Sequence, residues 1–251
     1  MRKTLAGSAC LAIASLGLVG AAPVGTINAA APAALDISTL HVQVILDHLG
    51  FSPGVLDGRA GKSLVAALKG FQETRGLPQT GEMDLTTLRA LHPYRDWRPT
   101  QTVALTADML AGPFVNPLPK NPQLQAKLSS LGYRSPMEKL GEMFHAKPSV
   151  LLELNSPQTR LVPGSKIVVP NAITAGRAYD PKLPEKWRQT LSDLNVDSTQ
   201  PTGAKVVVDK SEEVLRVLDK DGKLVGQFMA TMGSEHDPLP IGTWKILGPS
   251  Y

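Results

Sequence analysis

Between residues 36 and 91, apolar positions recur with the period of a helix three times. Val42, Ile45, Leu46 and Leu49 follow i, i+3, i+4, i+7 spacing behind Asp36, a good helix cap, and Gly50 ends the run. Leu64, Ala67, Leu68 and Phe71 repeat the spacing, and Gly76 closes it. A shorter helix starts at Asp84, another good cap, and places Leu85 and Leu88 on one side. Between the first two helices, Val55 to Gly61 reads as a turn. Asp57 can accept from amides ahead of it, and Gly58 and Gly61 are expected to supply backbone angles that other residues avoid. A three-helix unit of about 55 residues buries a small core and is marginal alone.

Past His92 the period lapses. Prolines at 93, 99, 113, 117 and 119 mark a connector. Helical spacing returns with Met137, Leu140 and Phe144 on one face, and Pro148 suits the first turn of a second helix that ends near Asn155. Pro163-Gly164 then turns the chain into a strand, Ile167 to Val169. After a polar stretch the period becomes two. Val206 to Val208, Val214 to Leu218 and Leu224 to Ala230 read as strands, with Asp221-Gly222 as a hairpin turn and Thr243 to Leu247 as a fourth strand.

Composition narrows the function classes. Of 251 residues, 42% are apolar and 19% charged, a globular balance. The net charge of +4 suits contact with an anionic surface such as a cell wall. Arg2 and Lys3, an apolar core from Leu5 to Val19 and an Ala-rich stretch to Ala34 read as an export signal over residues 1–31. Its core is shorter than the roughly 20 residues a bilayer requires, so no membrane association is expected after cleavage. Cys10, the one cysteine, lies inside it, and Gly7 stands where a lipoprotein signal carries a leucine-like residue. Beyond the signal there is no thiol for a disulfide, a nucleophile or a metal.

The remaining chemistry is excluded residue by residue. Gly61-Lys62-Ser63 resembles the tail of a phosphate loop, but Leu56 stands where its first glycine belongs and the preceding segment is helical. His41, His48, His92, His145 and His236 form no ligand spacing, so neither metal nor cofactor is expected. Glu138, Glu142 and Glu153 read as solvated helix faces rather than a glycosidase pair. Basic residues are scattered and aromatics make only 5%, which argues against nucleic acid.

The ordered set Leu49-Gly50-Phe51, Pro53-Gly54, Asp57-Gly58, Gly61, Ala67, Phe71-Gln72, Gly76-Leu77, Thr80-Gly81, Asp84, Thr87 and Leu91 resembles the small three-helix peptidoglycan-binding domain of bacterial wall enzymes. Most of these positions are architectural. Asp57, Arg59 and Gln72 are the candidate contacts to glycan or stem peptide. "MEKLGEMFHAKPSVLLELNSPQTRLVPGSKIVVPN" resembles the later part of a LysM repeat, a binder of N-acetylglucosamine polymers, although that repeat's initial strand is not evident. "KVVVDKSEEVLRVLDKDGKLVGQFMATMGSEHDPLPIGTWKIL" resembles the opening of an L,D-transpeptidase (YkuD-type) catalytic domain. That resemblance implies a cysteine thiolate attacking the stem peptide at its meso-diaminopimelate–D-alanine bond, with a histidine base. The Ser/Thr-His-Gly-Cys setting that carries both does not occur here, so no transpeptidase activity is expected of this chain, and His236 is expected to be a solvated loop residue.

The expected fold is therefore multidomain: a small three-helix peptidoglycan-binding domain, an α/β LysM-like module, and the opening strands of an incomplete mainly-β catalytic domain. The expected boundaries are signal 1–31, peptidoglycan-binding domain 36–92, linker 93–130, LysM-like module 131–172, linker 173–203 and catalytic opening 204–251. The expected function is that of an exported peptidoglycan-binding protein of the periplasm or cell wall, the front portion of an L,D-transpeptidase. The alternative is a complete non-catalytic wall-binding protein with a remnant catalytic domain. Its modules would act as tethers that raise local concentration near the polymer.

Overall fold

The computed structural model describes residues 34–128 and 132–247, and the export-signal reading falls outside them. None of the described helices is long and apolar enough to cross a membrane.

The first three helices are α1 (Ile37–His48), α2 (Lys62–Thr74) and α3 (Leu85–Leu91). Asp36 caps α1 through the amides of Ser38 and Thr39, and Asp84 caps α3 through the amide of Thr87 at 2.8 Å. The expected apolar positions Val42, Ile45, Leu46, Leu64, Ala67, Leu68 and Phe71 form one core with Phe51 and Leu91. Phe51 meets Phe71 edge-on, with centroids 6.1 Å apart. The side of α3 that carries Leu85 and Leu88 faces outward. Leu85 and Leu88 are 64% and 44% exposed, and the helix buries Thr87 and Leu91 instead. The reason lies across the core, where the Thr87 hydroxyl receives a hydrogen bond from the buried Gln72 side chain at 2.8 Å. A second apolar stripe on α1, Leu40 and Val44, packs against Leu56 and Ala172, so this helix is buried on two sides.

The stretch 93–130 is more than a linker. It contributes β1 (Thr100–Ala104), and the chain continues through α4 (Ala107–Leu110), α5 (Pro122–Gln125), α6 (Pro136–Met143) and α7 (Pro148–Leu154) to β2 (Lys166–Pro170). β1 and β2 pair antiparallel, with Thr100 opposite Pro170 and Ala104 opposite Lys166. Leu140, Phe144, Val150, Leu151, Ile167 and Val169 make the core beneath them. The excursion between β1 and α6 is pinned by the Lys139 ammonium, which donates to the carbonyls of Asp108 and Ala111 at 2.7 and 3.1 Å. Asn155 ties α7 to β2, its amide donating to Leu151 O and Val168 O and its oxygen accepting from Val168 N. The strand β1 escapes sequence patterning because it is short, largely polar and separated by about sixty residues from its partner.

The stretch 173–203 is not a free linker either. It holds α8 (Glu185–Asp193), and the turn after it docks, because the buried Asn195 side chain donates to Met143 O at 2.5 Å. The chain ends in a meander of β3 (Lys205–Asp209), β4 (Val214–Leu218) and β5 (Leu224–Met229), in that order and antiparallel. Gly222 makes the expected hairpin turn at φ +77°. The expected fourth strand is not formed. Ile241, Trp244, Ile246 and Leu247 are 90%, 65%, 78% and 90% exposed, with no strand beside them among the described residues.

The modules are not strung on tethers. The free edge of β5 is covered by the loop after α1: Ser52 N donates to Gln227 O at 2.8 Å, and Gln227 N donates to Gly50 O at 2.9 Å. Gly50 reaches this edge at φ +82°, closing α1 and opening the pairing in one step. Leu224 enters the three-helix core, and Arg216 of β4 pairs with Glu73 of α2 at 2.5 Å. On the β2 side, His48 bonds Asn171 O at 2.7 Å, and Leu56 N donates to His145 O at 2.8 Å. The three helices are a hub on which the other two units are fixed.

Candidate functional site

Two buried glutamines organise the three-helix unit. Gln43, on α1, uses its whole amide on the turn at 57–59. Its oxygen accepts from Asp57 N and Gly58 N at 3.0 and 2.7 Å, and its nitrogen donates to Asp57 Oδ1 and Arg59 O, both at 3.1 Å. Gln72, on α2, does the same for the turn before α3. Its oxygen accepts from Gly81 N at 2.9 Å, and its nitrogen donates to Thr80 Oγ1, Thr87 Oγ1 and Glu82 O. Both side chains sit in the core, where an unmatched amide would be costly.

The three candidate contacts occupy different settings. Gln72 is fully buried with its hydrogen-bonding capacity spent, so it braces the fold and presents nothing to a ligand. Asp57 Oδ1 accepts from Arg59 N at 2.9 Å as well as from Gln43, the amide-bonding turn expected of it. Arg59 reaches away from the turn to grip both carboxylate oxygens of Glu153 on α7, at 2.7 and 2.8 Å. The structure thus brings Asp57 and Arg59 together at the seam with α7 and leaves Gln72 elsewhere. Gly58, at φ +66°, has Asp36 O 2.7 Å from where a Cβ would stand, so it must be glycine. Gly61 is extended at φ −177° with open space around it, so the expected special backbone angle is not used there.

In the sequence, His145 stands out only as a histidine without metal-ligand spacing. In the fold it follows α6 at φ +51°, and both ring nitrogens face acceptors: Nδ1 lies 2.8 Å from Asp47 Oδ2 and Nε2 lies 2.9 Å from Leu194 O. Only the doubly protonated imidazolium can donate to both. Burial opposes that charge, but Asp47, Leu194 O and the field of Glu142 outweigh it and push the pKa up to about 9. His145 is thereby a charged clasp joining α1, α6 and α8. His236 lies exposed in its loop, as expected. Among the described residues no group of His, Cys, Asp and Glu could hold a metal ion.

An open cleft of about 360 Å³ lies between α2 and the sheet. Lys62, Val65, Lys69 and Glu73 project from successive turns of α2, Arg216 and Gln227 come from β4 and β5, and Ser211 and Glu212 from the connection between β3 and β4. Gly70 lets the sheet close on the helix: a Cβ there would lie 3.0 Å from the Gln227 amide, whose nitrogen donates to Ala66 O at 2.7 Å. Beside α6 and α7 there is an indentation of about 20 Å³, room for a water rather than a sugar.

The family described as "Putative peptidoglycan binding domain" matches residues 38–91, the span of α1 to α3 with its two stapled turns. Residues 38–91 are a peptidoglycan-binding domain. The chain also has curated relatives. Over 41 residues, 16% of this chain, it is 51% identical to the "Uncharacterized protein YbfG" of Bacillus subtilis, covering 6% of that protein. Over 69 residues, 28% of this chain, it is 36% identical to the "Localization factor PodJL" of Caulobacter vibrioides, covering 7% of it. The chain thus spans only 6% and 7% of the length of these relatives.

Proposed function

We propose that this is an exported cell-wall protein whose helical hub binds peptidoglycan and presents it to the units fixed on either side. The observation that carries this reading is the family match over residues 38–91 on a domain with both turns intact. Export is supported by the charged start and apolar core of residues 1–31. The unit built from β1, α6, α7 and β2 is proposed to be LysM-like. The helix pair α6–α7 leading into β2, and the antiparallel pairing of β2 with β1, support this, with β1 in the place of the initial strand that is not evident in the sequence and α4 and α5 intervening between β1 and α6.

Residues 204–247 are proposed to open an L,D-transpeptidase-type domain. Support comes from the β3-β4-β5 meander and the Pro238-Leu239-Pro240-Ile241-Gly242-Thr243-Trp244 run after it. The acyl-transfer chemistry of that family needs a thiolate beside a histidine, and no cysteine follows Cys10 in this sequence. The chain itself is therefore proposed to bind and not to turn over stem peptides. Two experiments test the reading. Cosedimentation with purified sacculi tests binding, and failure to pellet removes it. Reading the locus beyond codon 251 tests the catalytic assignment: a Ser/Thr-His-Gly-Cys motif in frame supports it, and its absence removes it. Release of D-alanine from a tetrapeptide by this chain would refute the proposed inactivity.

A further inference from the structure

The cleft between α2 and the sheet has a charge pattern that the fold does not use. Arg216 and Glu73 neutralise each other at 2.5 Å. Lys62, Lys69 and Glu212 line the same cleft, and none of their three side chains has a hydrogen-bond or ion-pair partner among the described residues. Two lysines, one glutamate and Gln79 thus line one cleft. The cavity of about 360 Å³ lies at the lower end of the ~300–1,000 Å³ typical of ligand pockets. No aromatic side chain lines it, so it offers no flat surface on which a sugar ring could stack.

We propose that this cleft binds the peptide stem of peptidoglycan rather than its glycan, Lys62 and Lys69 taking carboxylates of the stem and Glu212 an ammonium. This rests on the peptidoglycan-binding reading above and names the part of the polymer bound. N-acetylated glycan strands carry no charge, whereas the stem brings several carboxylates and, in a diaminopimelate stem, an amine. The charges of the cleft are complementary to that zwitterion, and complementarity of this kind fixes orientation and selects partners. The floor is rigid, because Gln227 is bonded to Ala66 O and the Gly50–Ser52 loop holds β5, so the two walls are positioned before any ligand arrives. The site is composite: α2 supplies the lysines and the sheet unit supplies Glu212 and the floor. The domain alone would carry only half of it.

The test uses the full chain and three probes followed by amide chemical shifts: the peptide L-Ala-γ-D-Glu-meso-diaminopimelate-D-Ala, tetra-N-acetylchitotetraose, and inorganic phosphate. The peptide is expected to shift Lys62, Val65, Lys69 and Glu212. The double variant Lys62→Gln/Lys69→Gln is expected to weaken it at least about fivefold, the loss of two half-exposed ion pairs. These lysine side chains have no partners in the fold, so an unchanged melting curve verifies that the variant is intact. Peptide affinity unchanged in the variant, shifts confined to another surface, or phosphate binding as tightly as the peptide would each overturn the proposal. Sacculus pelleting separates the two levels. Wild-type protein that pellets but ignores the peptide sinks only the cleft, whereas protein that does not pellet sinks the peptidoglycan-binding reading itself.

Discussion

Raising the pH through 9 is predicted to loosen the clasp that joins α1, α6 and α8. Both nitrogens of His145 face acceptors, so the folded state favours the imidazolium, with a pKa of about 9 against 6.5 for a free histidine. A folded pKa above the unfolded value means that the stabilisation is complete below pH 6.5. It declines as pH rises and is lost above about 9. At ~1.36 kcal/mol for each pH unit separating the folded and unfolded values, the ceiling is about 3 kcal/mol. The His145 and Asp47 side chains retain 28% and 15% of their exposure, so water screens part of this, and about 2–3 kcal/mol is expected. Urea unfolding at pH 6.0, 7.5 and 9.5 measures it, with Asp47→Asn as the control. The wild type is expected to lose that increment between the extremes and the variant only a small part of it, other titrating groups cancelling in the comparison. Parallel profiles for the two proteins would refute the clasp.

Gln43→Leu keeps the volume but leaves the amides of Asp57 and Gly58 without acceptors, and a loss of about 2–4 kcal/mol in urea unfolding is expected. A loss below about 0.5 kcal/mol would show that the turn holds itself. Arg59→Ala removes a half-exposed ion pair with Glu153 and should cost under about 1 kcal/mol while sacculus binding stays near wild type. A selective loss of binding with the fold intact would support Arg59 as a contact. In hydrogen exchange, the amides of Ser52 and Gln227 are expected to be protected together, since they share the pairing that fixes the sheet to the hub. Fast exchange at Ser52 alone would mean that the two units are separate.

The three-helix domain was legible because its signals are local. Aspartates 36 and 84 at the caps, glycines at the turns and apolar residues at helical spacing act within a few residues of one another. The third helix was legible in its position but not in its buried face, because that face is set by a threonine bonded to Gln72, and no period in the sequence shows a partner fifteen residues away. The same blindness hid Gln43. It shares a stripe with Leu40 and Val44, and a glutamine on an apolar stripe is the signal that could have found it. The fold partners of the three candidate contacts were not legible either. The structure spends Asp57 on the turn, Arg59 on α7 and Gln72 on the core. The packing between units was not legible at all. The pairing of Gly50–Ser52 with β5 and the salt bridge between Glu73 and Arg216 join residues more than a hundred positions apart, and the cleft exists only where they meet.

The most direct test of the account is cosedimentation of the full chain with purified sacculi, read as the bound fraction against sacculus concentration. Saturable pelleting is predicted, with competition by soluble peptidoglycan fragments. Protein that stays in the supernatant at every sacculus concentration, while its melting curve shows it folded, would contradict the central claim.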